Sequence, residues 1–255
     1  MDWGLKGARV IVTGGAAGIG LAIARAFADA GAVVHVCDID QAALDALPDG
    51  ITGTRADMGD AVQIEAFVSG AIAAMGGLDT LVNNAGIAGP TAPVDEIDDA
   101  DWAATIEICL TSQFRATRHA AAALRDSDNA SIVNISSLAG RLGFGLRTPY
   151  AAAKWGVIGF TKSLAIEMGP DGVRANAILP GIVSGDRQVR VLTQKAERQG
   201  RSFAEVEADA LRYTSTGAYV APEDIAHQAL YLASPLGRAV SGQAISVCGD
   251  TQMLT

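Results

Sequence analysis

The chain is poor in the residues that build metal and disulfide sites. Its three cysteines, Cys37, Cys109 and Cys248, are odd in number, far apart and free of CxxC spacing. That leaves neither a disulfide framework nor a zinc site. His35, His119 and His227 are scattered, and a metal centre needs clustered ligands, so no metal is expected. Basic residues are also in deficit: 19 Lys and Arg against 28 Asp and Glu give a net charge of −9. A nucleic-acid or anionic-membrane surface demands the opposite balance. No apolar run approaches the length of a bilayer span, and the opening MDWGLKGARV lacks the basic region and apolar core of a secretion signal. The expectation is a cytoplasmic protein with free thiols and a small soluble partner.

What is present reads as a packed α/β protein. At 255 residues, 49% hydrophobic and 18% charged, the chain suits one domain over 1–255, and no linker interrupts it. Residues 8–12 form an apolar run without alternation, which suits a strand covered on both faces. Thr13-Gly14-Gly15-Ala16-Ala17-Gly18-Ile19-Gly20 follows, then a helical pattern. Glycines there let the backbone turn sharply and approach a pyrophosphate, while the helix start offers unpaired N–H groups. Packing alone also uses such loops.

A second run, 32–37, ends at Asp38, about 20 residues past the glycines, where a carboxylate accepts from a ribose diol and repels a 2′-phosphate. This favours NAD over NADP, with Asp40 as the competing acid. Asp57 closes the expected third strand and is a candidate for the adenine amino edge. Its plainer role is helix capping, which Asp60 serves equally well. After a helix over 61–75, a fourth strand over 78–82 ends in Asn83-Asn84-Ala85-Gly86, whose side chains can fasten neighbouring loops and leave room for a ribose.

Downstream, Asn134 to Lys154 reads NISSLAGRLGFGLRTPYAAAK. Tyr150 and Lys154 are four apart on a helical pattern and share a face, and an ammonium fixed beside a phenol stabilises the phenolate. Ser137 ends a β-like run and can hold a carbonyl or alcohol oxygen against that phenol. Pro180-Gly181 ends a later strand that begins at Val173.

Taken in order and spacing, TGxxxGxG at Thr13 to Gly20, NNAG at Asn83 to Gly86, Ser137, the Tyr150/Lys154 pair and Pro180-Gly181 resemble the classical short-chain dehydrogenase/reductase family, over residues 7 to 249. The resemblance implies a Rossmann-like doubly wound sheet of about seven parallel strands, with helices on both faces and a nicotinamide dinucleotide over the strand ends. It implies Tyr150 as acid/base, Ser137 as oxygen anchor and Lys154 on the nicotinamide ribose. Gly14, Ala17, Gly18, Ile19, Gly20, Asp38, Asp57, Met58, Asn84, Ala85, Gly86, Pro180, Gly181, Ile182 and Val183 would line the cofactor, Ile182 facing the carboxamide through its backbone. Asn83 would brace the sheet, and the small-residue helix after Tyr150 would pair with a symmetry mate in a homodimer or homotetramer.

One position departs from the pattern. Relatives carry Asn seven residues past a Trp on the long helix after the fourth strand; here Trp102 is followed by Cys109. A thiol is a poor donor and acceptor. In the family that Asn helps hold a water in the proton relay behind the Lys; here either a backbone carbonyl and water carry the relay with Cys109 as small filler, or activity is reduced or lost. Residues 184–217 are charged, helical in period and interrupted by Gly200, as expected of a lid over substrate. Arg141, Arg147, Phe144 and Arg187 are the substrate candidates. The arginines favour a polar or anionic hydroxy compound such as a sugar, sugar acid or hydroxy acid; Leu142, Phe144, Leu146 and Val189 leave an apolar or aromatic alcohol open. An NADPH-dependent ketoreductase, a bound-cofactor epimerase and a dinucleotide-binding regulator without catalysis are the rival functions.

Overall fold

Runs rich in β-branched residues extend into strands because both of their faces can be covered by helices. In the computed structural model, which describes residues 2–254, they are β1 (Arg9–Thr13), β2 (Val33–Asp38), β3 (Ile51–Arg55), β4 (Thr80–Asn83), β5 (Ser131–Ile135), β6 (Arg174–Pro180) and β7 (Ala244–Val247). All neighbouring strands pair in parallel, in the order β3-β2-β1-β4-β5-β6-β7. Parallel neighbours require crossovers. These are carried by α1 (Gly18–Asp29), α2 (Gln41–Asp45), α3 (Ala61–Met75), α4 (Asp99–Ile106) running through a π-helical turn into α5 (Ser112–Arg125), α6 (Thr148–Met168) and α9 (Pro222–Ala233). Strand order reverses between β1 and β4, and that switch opens a crevice beyond the carboxyl ends.

Alternate residues of each strand feed opposite faces. Val10 and Val12 pack with Ile23 and Phe27 of α1 and Ile225 and Leu230 of α9. Ile11, Leu81 and Ile132 pack on the other side with Ile64 and Phe67 of α3 and Leu124 of α5. Each fully buried Ile, Leu or Phe contributes about 1.5–3 kcal/mol.

The third strand stops at Arg55, short of the expected Asp57. The Asp57 carboxylate instead accepts the Gly59 N–H at 2.8 Å, a turn that ends the extended run. Capping of α3 falls to Asp60, which accepts from Val62 and Gln63. Residues 184–217 fold into α7 (Asp186–Gln199) and α8 (Phe203–Arg212). The break lies at Gly200, whose φ of 62° suits a helix C-cap. Leu192 and Ala196 of α7, Val206 and Ala210 of α8, and Ile182 form a small core of their own. Among the described residues no helix is long and apolar enough to cross a membrane.

Candidate active site

The turn after β1 is built for close approach. Gly14 and Gly18 have φ of 61° and 52°, which L side chains rarely adopt. A Cβ on Gly20 would lie 2.0 Å from the Gly14 carbonyl oxygen, so helix and turn touch backbone to backbone. A Cβ on Gly18 would meet nothing within 4 Å, because that face opens on the crevice. Ala17 stands at the N-cap of α1 without a side chain that could accept a first-turn N–H. Those donors and the helix dipole suit an external anion, and the fit for a pyrophosphate is good. The turn is stapled to the end of β4: Asn84 donates to the carbonyls of Thr13 (3.0 Å) and Gly14 (2.8 Å), and Thr13 Oγ1 accepts from the N–H groups of Asn84 and Ala85.

Asp38 at the tip of β2 accepts from Ala16 N–H at 3.1 Å and Asp40 N–H at 3.2 Å. Its carboxylate retains acceptor capacity toward the crevice. Asp40 caps α2 through Ala43 N–H. Both acids and Asp57 line one end of a cavity of about 950 Å³.

Ser137, Tyr150 and Lys154 line the same cavity. Tyr150 and Lys154 occupy the first two turns of α6, and the Lys154 ammonium lies 5.6 Å from the Tyr150 ring centroid. Lys154 is 2% exposed, and its Nζ donates to the Ile135 carbonyl at 2.8 Å. Its own carbonyl accepts from Ser136 Oγ at 2.8 Å. A Cβ on Gly140 would lie 2.5 Å from that carbonyl oxygen, so only glycine lets the loop after β5 lie against α6. In the sequence Ser136 and Gly140 read as ordinary loop residues. Behind them a buried line of amides and hydroxyls crosses the sheet: Asn83 donates to Thr117 Oγ1 and Asn134 Oδ1, and Asn134 donates to Thr161 Oγ1. Asn83 braces β4, β5 and α5, as the resemblance implied.

Cys109 is fully buried in the π-helical turn Glu107–Thr111, and its thiol donates to the Ile87 carbonyl at 3.3 Å. A Cβ on Gly86 would lie 3.5 Å from Cys109 Sγ and 3.7 Å from Lys154 Nζ. Thiol and ammonium thus both border Gly86, while the hydrogen bond of Lys154 goes to Ile135.

Every catalytic, cofactor and substrate candidate named from the sequence lines the cavity except Arg141; of the apolar residues that leave an apolar alcohol open, Phe144 and Leu146 line it and Leu142 and Val189 do not. Arg141 corrects an expectation: its guanidinium donates to Ser246 Oγ and the Ala244 carbonyl, securing β7 away from the cavity. Arg147 is 3% exposed and donates to Thr91 Oγ1 and the Ala88 carbonyl. Burial pushes its guanidinium pKa below the usual value; the charge of Arg187 acts in the same direction, and Tyr150 and Cys109 oppose it. Leu146 beside it has φ 62°, a conformation costing about 1–2 kcal/mol for a residue with a Cβ. Arg187 on α7 donates to the Gly86 carbonyl at 3.3 Å. The chain end also enters the site. Met253 and Leu254 line the cavity, Leu254 bridges to Phe144, and Asp250 accepts from Ser215 Oγ at 2.5 Å. No periodicity or motif marked that tail. Cys248 packs on Gly181 closely enough that a Cβ there would come within 2.7 Å of its Cα.

Comparison with known proteins matches residues 8–196 to the short chain dehydrogenase model. D-beta-hydroxybutyrate dehydrogenase of Cupriavidus necator is 36% identical, over 93% of this chain and 95% of its own. A putative ketoacyl reductase of monensin polyketide synthase from Streptomyces virginiae is 36% identical, over 94% and 95%. Among solved structures, a variant of actinorhodin polyketide ketoreductase with NADPH superposes with a TM-score of 0.91 at 33% identity, covering 95% of this chain and 96% of that one.

Proposed function

This chain belongs to the short-chain dehydrogenase/reductase family, and from that premise we propose that it is an NAD-dependent oxidoreductase interconverting a secondary alcohol and its ketone. The observation that carries the reading is one cavity joining the glycine cradle at Gly14 to Gly20 with Ser137, Tyr150 and Lys154. Gly14, Ala17, Gly18, Ile19, Gly20 and Asp38 hold the dinucleotide at one end; Asn84, Ala85, Gly86 and Pro180 to Val183 flank it at the other. When bound, the nicotinamide supplies the hydride acceptor.

Tyr150 takes the hydroxyl proton in oxidation and returns it in reduction. Ser137 fixes the substrate oxygen against the phenol. Lys154, anchored on Ile135 and by its carbonyl on Ser136, supplies a positive charge that cannot drift from Tyr150. The segment 184–217 covers the substrate, and the chain assembles as a homodimer or homotetramer through α5 and α6, where Phe114 and Trp155 are exposed.

The test is formation of NADH or NADPH over a panel of secondary alcohols with each oxidised cofactor. NAD-dependent turnover supports the reading. A second reading, an NADPH-dependent ketoreductase, takes its support from the NADPH-bound solved neighbours, and preference for NADP would select it. NADH binding without turnover of any alcohol would reject both.

A further inference from the structure

A guanidinium cannot shed its proton in a protein, so a buried one calls for a counter-ion. Arg147 has none. Its hydrogen bonds go to a neutral hydroxyl and a neutral carbonyl, and its Nε, also buried, has no partner. Among the described residues neither Arg147 nor Arg187 pairs with a carboxylate. Both nevertheless converge on one ring: the guanidinium carbons of Arg147 and Arg187 lie 5.5 and 5.8 Å from the Tyr150 centroid.

The wider cavity is polarised in the same sense. Asp38, Asp40 and Asp57 line it at the tips of β2 and β3; α7 contributes Arg187, Arg190 and Lys195, with Asp186 the single acid among the lining residues of that helix. In a chain of net charge −9 this is a local reversal. Sequence neighbours do not account for it, since Arg147 lies in the loop before α6 and Arg187 on α7.

We propose that Arg147 and Arg187 form a carboxylate-binding site beside Tyr150, so that the substrate is a short hydroxy acid whose carboxylate is held by the two guanidinium forks while its hydroxyl meets the phenol. The inference rests on the reading of Tyr150 as the acid/base and deepens it by naming the substrate class. Both cations flank the reacting phenol, so carboxylate and carbinol are separated by few carbons. A planar fork matches a carboxylate through paired N–H donors. Arg147 is prepositioned by Thr91, Ala88 and the strained backbone of Leu146.

The experiment compares NAD reduction with α- and β-hydroxybutyrate, their methyl esters and 2-butanol, in the unaltered protein and in Arg187→Gln. Arg187 is exposed, so that variant folds; Arg147→Gln serves as a second variant once its thermal melt shows a folded chain. The expected result is a preference for an acid over its ester of about 100-fold or more in kcat/KM, falling toward unity in Arg187→Gln through KM. Equal turnover of acid, ester and 2-butanol, or an unchanged acid-to-ester ratio in Arg187→Gln, overturns the proposal while leaving the dehydrogenase reading intact. If no alcohol is oxidised, butyrate is titrated into the protein saturated with NADH. Butyrate binding lost in Arg187→Gln upholds the anion site although the catalytic reading has failed; absence of butyrate binding overturns it.

Discussion

The two ends of the cavity are made by different means. At the end bordered by the glycine turn and Asp38 the work is done by backbone: glycine φ values, a helix start without a side-chain cap, and a turn stapled by Asn84. Its side-chain charges are negative. At the Tyr150 end side chains dominate, locked by buried hydrogen bonds from Lys154, Ser136 and Arg147, and the charges are positive. The first end needs absence of side chains and tolerates little added volume. The second needs particular functional groups, and its specificity can change without disturbing the first.

The sharpest way to separate the ends is Tyr150→Phe. Turnover should fall by about 10²–10⁴-fold with NADH affinity retained; a parallel loss of NADH binding in fluorescence titration would erase the distinction. Lys154→Met should cost about 10²-fold in kcat and also lower the melting temperature, because it removes the tie to Ile135. The reverse pattern is expected at the cradle. Gly20→Ala should destabilise the fold by about 1–3 kcal/mol in urea unfolding, since its Cβ would collide with the Gly14 carbonyl. Asp38→Ala should shift the NADP-to-NAD ratio of kcat/KM upward by about tenfold, leaving the Tyr150 chemistry in place.

The smallest effect lies outside the cavity. Burial alone would raise the Asp79 carboxyl, but hydrogen bonds from Arg9 and Ser127 more than reverse this and hold it at about 2. A depressed carboxylate stabilises the fold fully above its unfolded value of about 3.9, and that contribution is lost as pH falls through the folded value of about 2. Asp79→Asn should therefore cost about 1 kcal/mol near neutrality, allowing for solvent screening of a partly exposed pair, and nearly nothing at pH 2. Denaturant midpoints of the two proteins across that range give the comparison.

The backbone-made end was the more legible in sequence, because glycine spacing and strand-ending acids have few physical meanings. The Tyr150/Lys154 pair was legible by its helical spacing. What holds the pair was not: Ser136 and Gly140 matter through contact with the Lys154 carbonyl, a relation between distant segments that no local pattern encodes. Arg141 and Arg147 looked equivalent in one loop, yet the loop turns the first onto β7 and the second into the cavity. Strand ends moved by a residue or two where side chains such as Asp57 captured backbone N–H groups. The tail at Met253 and Leu254 carries neither periodicity nor charge, and only tertiary packing brings it to the site.

Transfer of a labelled hydride tests the central claim most directly. An alcohol that the protein oxidises, deuterated at its carbinol carbon, is incubated with NAD, and the reduced cofactor is weighed by mass spectrometry. Deuterated NADH from the unaltered protein, and almost none from Tyr150→Phe at matched NAD occupancy, is the predicted result. Label passing undiminished in Tyr150→Phe, or appearing in water instead of the cofactor, would contradict it.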